Sequence, residues 1–491
     1  MASMAFPSSA LGLPASLKYD LPPSMSDTAR SYSVNVSPDG ITTLTGPAFP
    51  AAPFVANSTG AFGSFTSQNV SFTIPSGMGD SVFLDPTSTT LSFTMSYTVT
   101  SGTTTGSAAA QLNLIGSGAS WFDQLVLYSN NVPIETIGQY GLLQNFLLQN
   151  TVNQSERAGG ISVSMGADSN SANGINLAWT GTAVTYRYSF CIPLLSVIGV
   201  NSDKLFPIGS VNNLQLQMTT ANLYPLVSYC TAVQTAASVI GGVTLDSFLL
   251  NMKYIDVGDL AAQQLRQTLQ DGKWYMKSTT YTNSAVGIPN SSIGSVQALL
   301  QIRNSSVKSV MHQFGIAASA ACPNGYYDAI NPALTSRQLQ VGGNFFPNRP
   351  LNDCAAPASA YTYLIQALGG GIAKSFGTVV NRNMYNAVIP SIPSGSDSTL
   401  VVPASALRAV PTNDDGAFTK IVDYPNSAYY GYDLEKSAGI LFSGINTRAS
   451  PPFLNLILGA TSTSTITCQA WGMSDVVLVF DAVAKQVTAF I

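Results

Sequence analysis

The sequence predicts an all-β protein of two similar halves, each a sandwich or barrel of short strands. Three observations carry this. Apolar and polar residues alternate with period two in many short runs. The 41 Gly and 27 Pro of the 491 residues punctuate those runs as turns. Helical periodicity is confined to a few short stretches, and after one of them the rhythm of strands begins again. Eight-stranded jelly rolls are the commonest double-sheet arrangement at this size per half.

Residues 1–66 are expected to form an extended N-terminal arm. Pro, Ser and Ala dominate there, and Pro22-Pro23, Pro50 and Pro53 block regular structure. From Gln68 the pattern changes. Leu91, Phe93, Met95, Tyr97 and Val99 alternate with Ser92, Thr94, Ser96, Thr98 and Thr100, the clearest strand in the chain. Ser71–Ile74 and Leu112–Ile115 are shorter strand candidates, with Gly77, Gly79, Asp85-Pro86 and Gly102 as turns. Trp121–Tyr128 is a further strand. Gln139–Asn150 follows as a helix, with Tyr140, Leu143, Phe146, Leu147 and Asn150 at three- and four-residue steps.

A Gly/Ser/Asn loop is expected over 154–178 and a second one near 221–243. Strands are expected at Val184–Leu195, Asn213–Met218 and Phe248–Tyr254. A linker helix then spans Asp259–Gln270, with Asp259 as N-cap and Gly272 as its stop. The second half carries strands at Val296–Ile302, Val307–Phe314 and Leu339–Phe346. Its helix, Ala358–Leu368, ends at Gly369-Gly370-Gly371. Strands close the chain at Gly439–Phe442, Phe453–Leu458 and Asp475–Phe480. The domains are therefore an arm over 1–66, a first jelly roll over 67–257, a linker helix over 258–272 and a second jelly roll over 273–491.

Composition narrows the function. Charged residues make up 9% of the chain, against about 25% in an ordinary domain. Glu occurs three times, at Glu135, Glu156 and Glu435. A surface so poor in charge suits a protein covered by copies of itself. Coiled coils are excluded, and so is nucleic-acid binding driven by global charge, because the net charge is −4. No run approaches the roughly 18 apolar residues of a membrane span. The first twenty residues lack a basic start followed by a long apolar run, so no secretion signal is expected and the chain is expected to be made inside the cell.

Catalytic constellations are missing from the pattern. His312 is the one histidine, lies in a strand-like stretch, and is expected to be a hydrogen-bonded packing residue. Asp414-Asp415 read as a solvated turn rather than a carboxylate pair. Gly369–Gly371 follows a helix instead of opening one, so it is no phosphate loop. Cys191, Cys230, Cys322, Cys354 and Cys468 lack metal-ligand spacing and are expected to be free thiols. No catalytic, cofactor-binding or metal-binding residue is assigned, no cofactor is expected, and the chain is not expected to be an enzyme.

Several segments in order carry a resemblance. In the first half they are Ser71-Phe72-Thr73-Ile74-Pro75-Ser76-Gly77, Phe83-Leu84-Asp85-Pro86 and Leu91-Ser92-Phe93. Then come Trp121-Phe122-Asp123-Gln124-Leu125, and Ile134-Glu135 with Gln139-Tyr140-Gly141-Leu142-Leu143, an "E-x-I-x-x-Y" passage. Cys191-Ile192-Pro193-Leu194-Leu195 and Lys204-Leu205-Phe206-Pro207-Ile208-Gly209 form an "I-P-L … F-P-I/L" passage. In the second half they are Gln340-Val341-Gly342-Gly343-Asn344-Phe345-Phe346-Pro347 and Leu441-Phe442-Ser443-Gly444-Ile445-Asn446-Thr447. Over about Gln68–Asp481 the set resembles the double jelly-roll major capsid proteins of icosahedral double-stranded DNA viruses, within them those of the virophage, Polinton-like and adintovirus-like group.

That resemblance implies a double jelly roll of two tandem eight-stranded units, with short helices in loops. It implies a homotrimeric, pseudo-hexameric capsomer that self-assembles into an icosahedral virion shell enclosing a dsDNA genome. The partners implied are the chain itself, partly through the arm, and penton and minor capsid proteins. Neither sequence-specific nucleic acid nor a membrane span is implied. Loops near 154–178, 221–243 and 390–430 would form outward towers. The competing reading is a jelly-roll viral spike or lectin-like receptor-binding protein. An all-β glycan hydrolase is a third, disfavoured because no carboxylate pair stands out.

Overall fold

The computed structural model describes residues 29–40, 43–45, 68–100, 110–114, 117–166, 177–178, 184–202, 204–221, 226–230, 239–240, 244–267, 272–289, 294–316, 329, 332, 334–352, 357–369, 428–436, 442–458 and 466–491. The chain is mostly β, in antiparallel sheets.

The strands before the linker helix are β1 (Arg30–Val36), β2 (Thr43–Thr45), β3 (Asn69–Ile74), β4 (Val82–Thr100), β5 (Ala110–Leu114), β6 (Phe122–Ser129), β7 (Val132–Gly138), β8 (Leu177–Ala178), β9 (Val184–Pro193), β10 (Leu214–Thr220), β11 (Leu226–Cys230), β12 (Val239–Ile240) and β13 (Thr244–Asp256). Helix α1 (Tyr140–Thr151) and two short pieces, α2 (Gln154–Glu156) and α3 (Ser162–Met165), lie between β7 and β8. One sheet runs β1-β13-β4, with β9 on the free side of β4, β2 extending the β1 edge and β12 at the far end of β4. The other runs β3-β10-β6-β7, and β11-β5-β8 form a small separate sheet.

Helix α4 (Asp259–Gln267) follows, its Arg266 paired with Asp80 of the first half. Then come β14 (Lys273–Ile288), β15 (Gly294–Leu299), β16 (Val307–Ile316), β17 (Leu334–Val341), β18 (Asn344–Leu351), helix α5 (Pro357–Ala367), β19 (Tyr429–Asp433), β20 (Phe453–Leu458), β21 (Ile466–Asp481) and β22 (Gln486–Phe490). Their sheets run β14-β21-β16-β19, with β22 on β21, and β15-β20-β17-β18. The second pair of sheets thus repeats the order of the first: β14, β21, β16 and β19 stand where β1, β13, β4 and β9 stand. Likewise β15, β20, β17 and β18 stand where β3, β10, β6 and β7 stand. Both pairs show jelly-roll-like antiparallel order.

Alternation explains the inner faces. Leu91, Phe93 and Met95 are buried while Ser92, Thr94 and Ser96 are half-buried. Phe93 meets Phe122 of the facing sheet at 5.4 Å, and Phe190 and Phe248 at 5.1 and 5.7 Å. Each such side chain contributes roughly 1.5–3 kcal/mol by leaving water.

Several elements differ from the sequence expectation. β1 and β2 lie inside the stretch expected as an arm. β1 pairs with β13 from Arg30↔Asp256 to Val36↔Leu250, because a short Ser-rich strand needs only one hydrogen-bonding neighbour at a sheet edge. Residues 154–165, expected as loop, make short helical turns. The single strand expected over Leu339–Phe346 is a hairpin, because Gly342 takes a φ of +60° and turns the chain. Asp259 is the first helical residue rather than the cap. Of the strand expected over Gly439–Phe442, residues 439–441 lie outside the described residues, and Phe442 is not in a strand. Most of the expected towers at 221–243 and 390–430, and residues 167–176, also lie outside the described residues.

Candidate functional site at the seam between the halves

The "E-x-I-x-x-Y" passage sits where the two halves meet. Glu135 of β7 is 2% exposed. Its Oε2 accepts hydrogen bonds from the Ser196 hydroxyl at 2.5 Å and the Val197 amide at 3.0 Å. Its Oε1 accepts one from the Thr280 hydroxyl on β14 at 2.8 Å. One carboxylate therefore holds an edge strand and the turn after β9 in the first half to the opening strand of the second. No cation pairs with it among the described residues. Burial raises its pKa, and the three hydrogen bonds offset only part of that. The motif tyrosine completes the lock, since the Tyr140 hydroxyl accepts from the Leu195 amide at 2.9 Å. Burial and the Glu135 charge together push Tyr281, beside it on β14, up to about 12.

Helix α1 fills the rest of the seam. Gly141 permits its close approach: a Cβ there would lie 2.6 Å from the Ala119 carbonyl oxygen and the Ser120 Cα. Phe146 of α1 packs edge-on against Tyr429 at 4.8 Å and meets Trp471 at 5.8 Å, both in the second half. The Trp471 indole donates to the Gly138 carbonyl at 3.4 Å. Ser278 donates to the Asn201 carbonyl at 2.9 Å, and the Asn212 amide to the Lys485 carbonyl at 3.0 Å. Phe206 meets Phe480 at 4.9 Å and Phe83 meets Trp274 at 5.5 Å. Consequently one apolar cluster runs from the first half into Met276, Met311, Leu364, Tyr429, Trp471 and Phe480. The second half keeps a separate core around Val310, Phe314, Leu339 and Leu456.

The remaining family-like segments also acquire physical roles. Leu84 of β4 and Phe206 exchange backbone hydrogen bonds at 2.8 and 2.9 Å. In the second half Val307 of β16 and Ile445 do the same, at 2.8 and 2.9 Å. β16 is the counterpart of β4, so the "F-P-I" segment and Ser443-Gly444-Ile445 form the same bridge. Gly444 is required there, because a Cβ would lie 2.3 Å from the Val307 carbonyl oxygen. Beside it Asp475, 0% exposed, accepts from the Ser306 hydroxyl at 2.7 Å and the Ser443 amide at 2.9 Å. It also pairs with Lys277 at 3.1 Å. Burial alone would raise its pKa; these donors and the lysine win, and it is lowered.

His312 packs inside the second half, as its strand position implies. Its ring stacks on Tyr430 and Tyr432 at 5.0 and 5.8 Å, and the Arg337 guanidinium lies over both tyrosines at 4.7 and 4.9 Å. Neither ring nitrogen has a hydrogen-bond partner among the described residues, unlike the expectation. Burial and Arg337 hold its pKa well below the usual histidine value. Cys191 and Cys468 are free thiols, and burial pushes Cys468 up to about 12. Gly369 ends α5 with a φ of +80°. Asp414, Asp415, Gly370, Gly371, Cys322 and Cys354 lie outside the described residues. Among the described residues no cluster of three or more His, Cys, Asp or Glu could hold a metal ion, and no helix is long and apolar enough to cross a membrane.

No known protein family and no curated protein sequence matches this chain. Solved structures do. A chain of the Sputnik virophage structure aligns with a TM-score of 0.55 at 10% identity, over 100% of this chain and 93% of that one. PBCV-1 VP54, fitted into a reconstruction of the virophage Sputnik, aligns with a TM-score of 0.54 at 11% identity, over 97% of this chain and 99% of its own. The Faustovirus major capsid protein aligns with a TM-score of 0.51 at 9% identity, over 96% and 93%. At such identity the likeness is one of fold, and it extends over nearly the whole length of each chain.

Proposed function

We propose that this chain is a major capsid protein: a double jelly roll whose two eight-stranded units trimerise into pseudo-hexameric capsomers and assemble an icosahedral shell around a dsDNA genome. The observation that carries the reading is the repeat of two jelly-roll-ordered sheet pairs, fused through Glu135, Thr280 and a shared apolar cluster. A shell subunit must transmit load between its units, and a continuous core makes the pair one body. The full-length likeness to viral capsid folds and the scarcity of charge support it. On this reading the units meet at the linker helix within 258–272, and the N-terminal arm expected over 1–66, apart from β1 and β2, ties neighbouring capsomers. Penton and minor capsid proteins are the other partners. The chain resides in the virion shell, is made in the host cell and performs no catalysis.

The test is the solution mass of the full-length protein by light scattering, with negative-stain images of the same sample. Three times the chain mass with hexagonal outlines, or closed shells, is the expected result. A monomer with glycan-binding activity would replace the reading by a spike or lectin-like one.

A further inference from the structure

Strand β19 joins two parts of the molecule through its two faces. Its Tyr430 and Tyr432 turn into the core of the second half, where the His312 ring stacks on them at 5.0 and 5.8 Å. Its Tyr429 turns to the opposite face and meets Phe146 of α1 across the seam at 4.8 Å. Gly431, between them, lies under α5: a Cβ there would stand 2.7 Å from the Ala367 Cβ. Yet β19 is five residues long and lies at a sheet edge, bonded to β16 from Ser309↔Asp433 to Gln313↔Tyr429. Short edge elements of this kind open at the least cost.

The stack is closed to a second charge. His312 is 0% exposed, and neither ring nitrogen has a hydrogen-bond partner among the described residues. The Arg337 guanidinium of β17 already lies over both tyrosine rings, at 4.7 and 4.9 Å. The other neighbours offer the ring no counter-charge among the described residues. β21 sets Ala470 and Cys468 opposite His312 and Phe314, and burial keeps that thiol neutral. Asp475, further along β21, is engaged with Lys277. β15 and β20 carry no ionisable residue, and α5 carries Tyr361 and Tyr363. Arg349 of β18 is exposed. Lys308, Asp433 and Glu435 engage one another at the C-terminal end of β19, with Lys308 and Glu435 3.7 Å apart. An imidazolium formed in the closed stack stands unpaired beside a guanidinium; one formed after β19 leaves stands in water.

We propose that His312 is an acid trigger: its protonation releases β19 and α5 from the second half, and Tyr429 leaves the seam with them. The release is a property of the subunit; its use, loosening a shell in an acidic compartment, rests on the capsid reading. A histidine in water takes its proton at about 6.5 and the closed stack refuses it there, so the open population should rise by about 25-fold from pH 7 to pH 5. Glu135 works in the other direction, because its protonation in acid relieves the seam of a buried charge.

The experiment is amide hydrogen exchange of the full chain at pH 7 and pH 5, corrected for the intrinsic effect of pH on exchange, in wild type and His312→Phe. Wild-type peptides covering 357–367 and 429–433 are expected to lose about 25-fold in protection, and those of the variant less than about threefold. Unchanged protection in wild type, an equal loss in the variant, or a loss spread evenly over β15, β17 and β20 overturns the proposal. Should the variant not fold, NMR of the single histidine, isotope-labelled in wild type, decides. A closed-state ring that stays neutral down to about pH 5 is expected, and ordinary titration near 6.5 overturns the proposal. Light scattering of the same sample separates the two readings. A monomer that opens in acid overturns the capsid reading and keeps the trigger; a trimer that stays closed does the reverse.

Discussion

Two carboxylates, one at the seam and one inside the second half, are both removed from water yet move in opposite directions. Glu135 accepts three hydrogen bonds and has no cation, and its pKa is raised. Asp475 also collects hydroxyl and amide donors, but Lys277 stands 3.1 Å away, and its pKa is lowered. Donors alone do not repay the desolvation of a charge; donors with a partly solvated lysine do. The seam is thus held by an acceptor that needs its donors more than its charge. The corner of the second half is held by the charge itself.

The largest effect is expected from Asp475→Ala. It strands Lys277 and the Ser306 and Ser443 donors, and should cost about 3–5 kcal/mol in chemical denaturation. Glu135→Ala comes next, at about 2–3 kcal/mol, and should split one cooperative unfolding transition into two as the halves uncouple. The amide pair sharpens the contrast. Glu135→Gln should stay within about 1 kcal/mol of wild type, since Thr280 can turn its hydroxyl to accept, whereas Asp475→Asn should lose about 2 kcal/mol or more. Equal losses in the two amide variants would break the comparison.

Acid should separate them further. Asp475, with its folded pKa lowered, contributes stability that is present above its ordinary value of 3.8 and lost as pH falls through the folded value. Glu135, with its folded pKa raised, favours the fold below 4.5 and loses that contribution as pH rises through the folded value. Melting curves should therefore show Glu135→Gln gaining on wild type as pH rises, and Asp475→Asn falling behind. The smallest effect is expected at His312. Its depressed folded pKa means stability is full above 6.5 and lost as pH falls below it. His312→Phe keeps the stack on Tyr430 and Tyr432, should change neutral stability by less than about 1.5 kcal/mol, and should flatten that acid limb.

Legibility in the sequence followed how many faces of an element meet water. β4 could be seen because Leu91, Phe93 and Met95 face a core while their neighbours are polar and half-exposed. β14 escaped notice although it is 16 residues long. Its Ser278 and Thr280 look like solvent-facing positions but are buried against the first half, so polarity no longer reports exposure. β1 was hidden for a related reason: an edge strand with Ser at alternate positions looks like the arm around it. Glu135 and Tyr140 were visible as a family-like passage. Their partners were not, since Ser196 and Thr280 lie 61 and 145 residues from Glu135 and neither has a distinctive neighbourhood. Ser443-Gly444 stood out likewise, while Asp475, the acceptor that explains them, did not.

The long-range closure of the sheets has a consequence for synthesis. β14 pairs with β21 along its whole length, from Lys273↔Asp481 to Ile288↔Ile466. The second half cannot complete that sheet until Asp481, 208 residues after Lys273, has left the ribosome. Until then the first half presents β7, α1 and the Glu135 carboxylate without Thr280, Tyr429 or Trp471 to cover them. A chain emerging from a polysome beside many siblings is then exposed to the wrong second half as well as the right one. Such non-local pairing also folds slowly. The welded seam, which makes the finished subunit one body, makes the nascent one dependent on translation outrunning encounter.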